Sequence, residues 1–161
     1  QDGSATVGVL PVPEDSEELP WWPALAGMSG SRPLVCGRLP FGPSSAGAGD
    51  SALCVANIEP ADSGDDRSLV AFRTRPKISR ARLNSAIAAA GIKPVRLIGS
   101  GPSADDISLF LAELDGFAAA DDARLARLAD PDDGVAESVI YLGAYAAPFD
   151  AHDLSYRGDG R

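Results

Sequence analysis

The sequence predicts an α+β fold, with a ferredoxin-like βαββαβ second half preceded by a small α/β segment. Three observations carry this reading. From Ser68 onward, strand-sized apolar runs and short helical stretches follow one another in the order β-α-β-β-α-β. The better helix has a start signal at Ser79 and a stop signal at Gly91. The chain is 45% apolar and 23% charged over 161 residues, ordinary for a soluble globular domain and enough for a packed core.

The elements follow in chain order. Thr6–Val12 reads as a short strand that stops at Pro11 and Pro13. After the acidic turn 14–18, the stretch 20–26 reads as a short helix, with proline tolerated in its first turn. Pro33–Phe41 and Ala52–Ile58 are strands, separated by a flexible loop 42–50 rich in Gly, Pro and Ser. The polar connector Glu59–Arg67 is the best domain boundary. Ser68–Arg73 is a strand, and a helix follows over 80–90 with Leu83, Ile87 and Ala90 on one face. Val95–Ile98 is a strand that ends in Gly99-Ser100-Gly101-Pro102. Ser108–Leu114 is a strand, Asp121–Ala129 a helix with Leu125 and Leu128 inward, and Ser138–Leu142 the last strand. The expected division is 1–62, 63–149 and a flexible tail 150–161. The chain begins at Gln1 as if in mid-element, which predicts a piece of a longer protein.

Charge narrows the partners. The net charge is −9, and Lys77 and Lys93 are the only lysines. An acidic chain without a basic stripe repels phosphate backbones, so neither nucleic acid nor an anionic membrane surface is an expected partner. No apolar run approaches the ~18 residues that cross a bilayer. Cys36 and Cys54 each lie in an apolar run and read as buried thiols of a reducing cytoplasm. His152 is the only histidine and no Cys-x-x-Cys occurs, so no metal is expected. The absence of a phosphate-binding or dinucleotide glycine motif leaves no cofactor expected either.

Four Asp-Asp pairs, at 65–66, 105–106, 121–122 and 132–133, fall in turns or just before helices, where carboxylates cap amides. Gly99-Ser100-Gly101-Pro102 reads as a turn, or alternatively as a loop presenting amides to a carboxylate. Trp21 and Trp22 read as packing residues of the short helix. Nothing in the sequence assembles a nucleophile, a base and an orienting group.

Several of these stretches resemble a known family. Ser68–Thr74, Arg80–Gly91, Val95–Pro102, Ile107–Gly116 and Ser138–Tyr145 resemble the ACT regulatory domain that closes prephenate dehydratases. Leu142-Gly143-Ala144-Tyr145 resembles that family's Leu-Gly-Ser-Tyr, and Ser63–Leu69 its Gly-Asp-Asp-Lys-Thr-Ser-Leu lead-in. At the front, Asp2–Pro11, Glu14-Asp15-Ser16, Trp21-Trp22 and Arg38–Phe41 look like a divergent set of alphaproteobacterial proteins usually labelled chorismate mutase. Those proteins carry a helical mutase domain, then a degenerate dehydratase-like region and an ACT-like end. The resemblance covers about residues 2–149. It implies an aromatic amino-acid effector, a role in phenylalanine biosynthesis, and a homodimer formed through the ACT-like sheet.

The departures shape the expectation. Active dehydratases carry Thr-Arg-Phe where this chain has Ser51-Ala52-Leu53. The family's effector loop Pro-Gly-Ala-Leu corresponds to Pro76-Lys77-Ile78-Ser79, and its Glu-Ser-Arg-Pro to Gly99-Ser100-Gly101-Pro102. The long mutase helices have no counterpart. The first expectation is therefore a non-catalytic regulatory region with effector-binding residues at 76–79 and 99–102. The second is a divergent prephenate dehydratase using Ser51. The third is a structural dimerisation module without a ligand.

Overall fold

The strand Asp66–Thr74 explains the architecture. Leu69 and Ala71 face one side, Val70 and Phe72 the other, and all four are buried. A strand apolar on both faces must lie inside a sheet covered on both sides. The computed structural model, which describes residues 7–13, 21–41, 50–100 and 108–149, shows that arrangement. Its elements are β1 (Gly8–Pro13), α1 (Trp21–Ala26), β2 (Leu34–Leu39), β3 (Asp50–Ala56), β4 (Asp66–Thr74), α2 (Arg80–Ala89), β5 (Lys93–Ser100), β6 (Leu109–Asp115), α3 (Ala123–Leu128) and β7 (Ala136–Ala146). Among the described residues, all seven strands join one sheet in the order β1-β3-β2-β7-β4-β6-β5.

The second half has the expected element order. Its strands lie as β7-β4-β6-β5, antiparallel throughout. Leu83 and Ile87 of α2 share a core with Leu125 and Leu128 of α3, built on Val70, Phe72, Phe110, Ala112 and Leu114. Both helices therefore cover the same sheet face. Ser79 caps α2, its hydroxyl accepting from the Arg82 amide at 3.2 Å, and Gly91 ends it at φ 79°. Asp122 caps α3 in the same way. The buried Ser68 hydroxyl donates to the Gly116 carbonyl and accepts from the Ala118 amide, fixing the path from β6 to α3.

The first half extends that sheet. β3 pairs antiparallel with both β1 and β2, and β2 lies parallel to β7 with Val35 opposite Gly143. A second core forms on the other sheet face. Trp22 and Leu25 of α1 pack there with Val35, Leu53 and Val55 of the first half and with Leu69, Ala71, Leu111, Leu142 and Tyr145 of the second.

Three expectations need correction. The last strand does not end at Leu142 but continues through Gly143 to Ala146. Its register with β4 shifts at this point, so that Leu142 is skipped, and Gly143 adopts φ 128°. The glycine bends the strand without ending it. β5 likewise runs through Gly99 and Ser100, which lie opposite Phe110 and Leu109. Pro94 is tolerated within it because β5 is the sheet edge. Finally, Cys36 and Cys54 are half-buried, because the alternation that turns Leu53 and Val55 toward α1 puts Cys54 on the other face.

Candidate functional site

The turn after β4 and the last residues of β5 lie at the same end of the sheet, since Arg73 and Ser100 both sit opposite Leu109 of β6. After β4, residues 75–78 form a tight turn closed by the Ile78 amide donating to the Arg75 carbonyl at 3.3 Å. Pro76 takes its second position. Lys77 takes the third at φ 68° and is the one non-glycine with positive φ among the described residues. That is a type II turn, whose third position favours glycine. The lysine thus holds a backbone form that glycine adopts more freely. Arg75 is anchored elsewhere, its guanidinium donating to the carbonyls of Asp130 and Pro131 at 2.7 Å each. Ile78 packs at the edge of the α2–α3 core and Ser79 caps α2.

Gly99 lies near the end of β5, opposite Phe110 of β6. A Cβ placed on Gly99 would lie 2.9 Å from the Phe110 ring and 3.8 Å from Nη2 of Arg80. The ring fills the place a side chain would take, and the Arg80 guanidinium lies beside that place. Arg80, the first residue of α2, was not among the residues singled out from the sequence. Only a motif comparison could have marked it, and the resembled motif ends at Ser79. Gly101 and Pro102 lie outside the described residues. With Arg73, Lys77 and Arg82 also exposed here, this end carries cations in a chain of net charge −9.

Ser51 lies elsewhere, in β3. Its hydroxyl is buried and donates to the Val12 carbonyl of β1 at 2.6 Å. The bond joins two strands and does not hand the proton to a base.

A second polar cluster joins the two halves on the α1 face. The buried Tyr145 hydroxyl donates to Glu113 Oε1 at 2.6 Å, and Arg38 of β2 lies 4.0 Å from the same oxygen. Burial first, and then the Glu113 carboxylate, push the Tyr145 phenol far above the ordinary tyrosine range, so it stays protonated. One row along, Asp115 accepts from Arg67 and from Lys93, the latter at 3.0 Å. These bonds, Lys93 first and then Arg67, hold its carboxyl below the usual range.

On the opposite face, a shallow cavity of about 330 Å³ lies between α3 and β7, lined by Asp121, Asp122, Leu125, Val139 and Tyr141 among others. The Tyr141 hydroxyl is buried without a hydrogen-bond partner, and burial, then Asp66 and Glu59, push it up to about 12. Asp122 is committed to Arg124 at 2.7 Å. Among the described residues, no three His, Cys, Asp or Glu side chains are grouped to hold a metal ion, and no helix is long and apolar enough to cross a membrane.

No family model matches the sequence, and no curated protein matches it. Two solved structures match this chain. One is GqqA, described as a novel type of quorum quenching acylase, with 16% identity and a TM-score of 0.57 over 96% of this chain and 76% of that one. The other is a prephenate dehydratase from Arthrobacter aurescens in complex with L-Phe, with 20% identity and a TM-score of 0.46 over 63% of this chain and 34% of that one.

Proposed function

We propose that this chain is a non-catalytic regulatory region of a protein resembling chorismate mutase/prephenate dehydratase, and that it binds an aromatic amino acid where the turn 75–78 and the start of α2 meet the end of β5. Residues 63–149 are then the ACT-like part and 1–62 the dehydratase-like part. The observation that carries the reading is the approach of Arg80 to Gly99, 3.8 Å from Nη2 to the missing Cβ. It brings a planar cation to the end of a strand whose own residue has no side chain. A guanidinium suits a carboxylate, which it can grip through two parallel bonds. Lys77 adds a second positive charge, which offsets the charged residues the resembled motif has and this chain lacks. The order β7-β4-β6-β5 agrees with an ACT-like sheet, and its edge strand β5 is the part of that sheet offered to a dimer partner.

Calorimetry with phenylalanine, tyrosine and tryptophan tests the reading. Saturable binding of one of them, weakened at least tenfold in Arg80→Ala, is the expected result. No heat with any of the three at millimolar concentration, with the chain shown folded, would overturn it. Turnover of prephenate, chorismate or an acylated substrate by this chain would overturn the non-catalytic part. If prephenate turnover vanished in Ser51→Ala, the activity would be that of a divergent dehydratase.

A further inference from the structure

We infer that Cys36 and Cys54 form a dithiol modification site that closes to an intramolecular disulfide on meeting a low-molecular-weight disulfide. The register of β2 against β3 places them together. Val35 lies opposite Val55 and Gly37 opposite Cys54, so Cys36 is the extra residue of a bulge. In a bulge two residues of one strand oppose one of the other, here Cys36 and Gly37 against Cys54. The Cys36 thiol donates to the Cys54 carbonyl at 3.6 Å. Gly37 supplies the room. A side chain there would meet Cys54 Cβ at 3.4 Å and Sγ at 3.7 Å, so its absence lets the Cys54 sulfur turn toward Cys36.

Both thiols are reachable, since each is half-buried and belongs to neither core. The helix of the first half packs on the opposite face, with Leu53 and Val55. The two sulfurs also sense each other. Burial raises the Cys36 thiol, and charge on Cys54 raises it further. Two strands already in register need little movement to bring their sulfurs to bonding distance.

The chemistry balances without a metal or an enzyme. One thiol loses its proton to solvent, and its thiolate attacks the small disulfide. That sulfur–sulfur bond breaks, and the departing thiolate takes up a proton. The second cysteine, deprotonated in turn, attacks the protein sulfur of the mixed disulfide and expels the remaining small thiol. Both protein thiols are oxidised, and the reagent is reduced to two thiols.

The test uses the full chain and oxidised glutathione. The folded protein is treated with graded excess, quenched with acid, and read by intact mass and free-thiol count. The expected result is joint loss of both thiols, a mass lower by that of two hydrogens, no retained glutathione, and full recovery with dithiothreitol. Cys36→Ser and Cys54→Ser, each checked for a cooperative melt, should each retain a single glutathione. A wild-type chain that keeps glutathione on either cysteine, forms disulfide-linked dimers, or stays reduced while its single variants react would overturn the inference. So would a folded chain in which neither the wild type nor the variants react.

Discussion

The strands β7-β4-β6-β5 bury one face against their own two helices, whereas β1-β3-β2 bury theirs against a six-residue helix and side chains borrowed from their neighbour. All the residues of the α2–α3 core fall between Val70 and Ala136. The α1 core mixes both halves, with Val35, Leu53 and Val55 meeting Leu69, Leu111 and Leu142. The difference is one of autonomy. The second half carries what it needs to close a core, while the first is an extension whose stability passes through the seam between β2 and β7. Local sequence signals should then be strong in the second half, and long-range contacts decisive in the first.

Gly143→Ala breaks the comparison at its weakest point. A Cβ there would lie 2.1 Å from the Val35 carbonyl oxygen and 2.5 Å from its nitrogen, at a φ of 128°. Overpacking and backbone strain together should cost about 4 kcal/mol. In urea denaturation the midpoint should fall sharply, and an early transition should appear in Trp21 and Trp22 fluorescence. A change below about 1 kcal/mol would show that β2 does not depend on this contact.

Gly99→Ala strikes the other half, where the added Cβ meets the Phe110 ring at 2.9 Å. The expected loss is about 2 kcal/mol, because Phe110 belongs to a packed core and the strand is only an edge. Far-UV melting should stay a single transition, in contrast to Gly143→Ala. A split transition here would contradict the autonomy of the second half.

Much of the second half was legible in the residues. Ser79 and Gly91 are local signals, and the helix between them begins and ends where they require. The first half's elements were also legible, with β2 expected over 33–41 and found at Leu34–Leu39. What did not show was the joining. Gly143 resembles a strand end in sequence, since only the approach of Val35 reveals why a glycine must be there. The site was legible in part. Positions 76–79 and 99 lie at the same end of the sheet, but the side chain that approaches Gly99 is Arg80, from a helix that local patterning marks only as apolar on one side. Arg38, Glu113 and Tyr145 come from three strands, and no spacing along the chain connects them. The exposure of Cys54 depends on which face α1 covers, again a tertiary fact.

Tyr145→Phe sharpens the comparison by removing a bond in the seam without changing its shape. The hydroxyl donates to a carboxylate at 2.6 Å in a buried position. Its loss should cost about 1.5–2 kcal/mol. The pH dependence follows from the raised phenol. Because the folded value lies above the unfolded value of about 10, the contribution is complete below pH ~10 and is lost as pH rises toward the folded value. Wild type should therefore weaken in alkali more steeply than Tyr145→Phe, as followed by chemical denaturation in steps above pH ~9. Equal slopes would place the alkaline loss elsewhere, with Tyr141, pushed up to about 12, as the next residue to replace.

Lys77→Gly has the smallest expected effect and the opposite sign. Lys77 holds φ 68° at the third position of a type II turn, where a side chain costs about 1–2 kcal/mol that glycine avoids. Glycine's looser unfolded chain returns roughly 0.5–1 kcal/mol of that gain. The side chain is exposed, so its removal sacrifices little packing. The net should be a stabilisation of about 0.5 kcal/mol, read as a small rise in urea midpoint at unchanged slope. The same variant removes one of the charges assigned to carboxylate binding, so aromatic amino-acid affinity should fall while stability rises. That opposition separates strain retained for a ligand from strain without purpose. If stability and affinity rose together, Lys77 would be a mere departure from glycine, and Arg80 alone would have to hold the carboxylate.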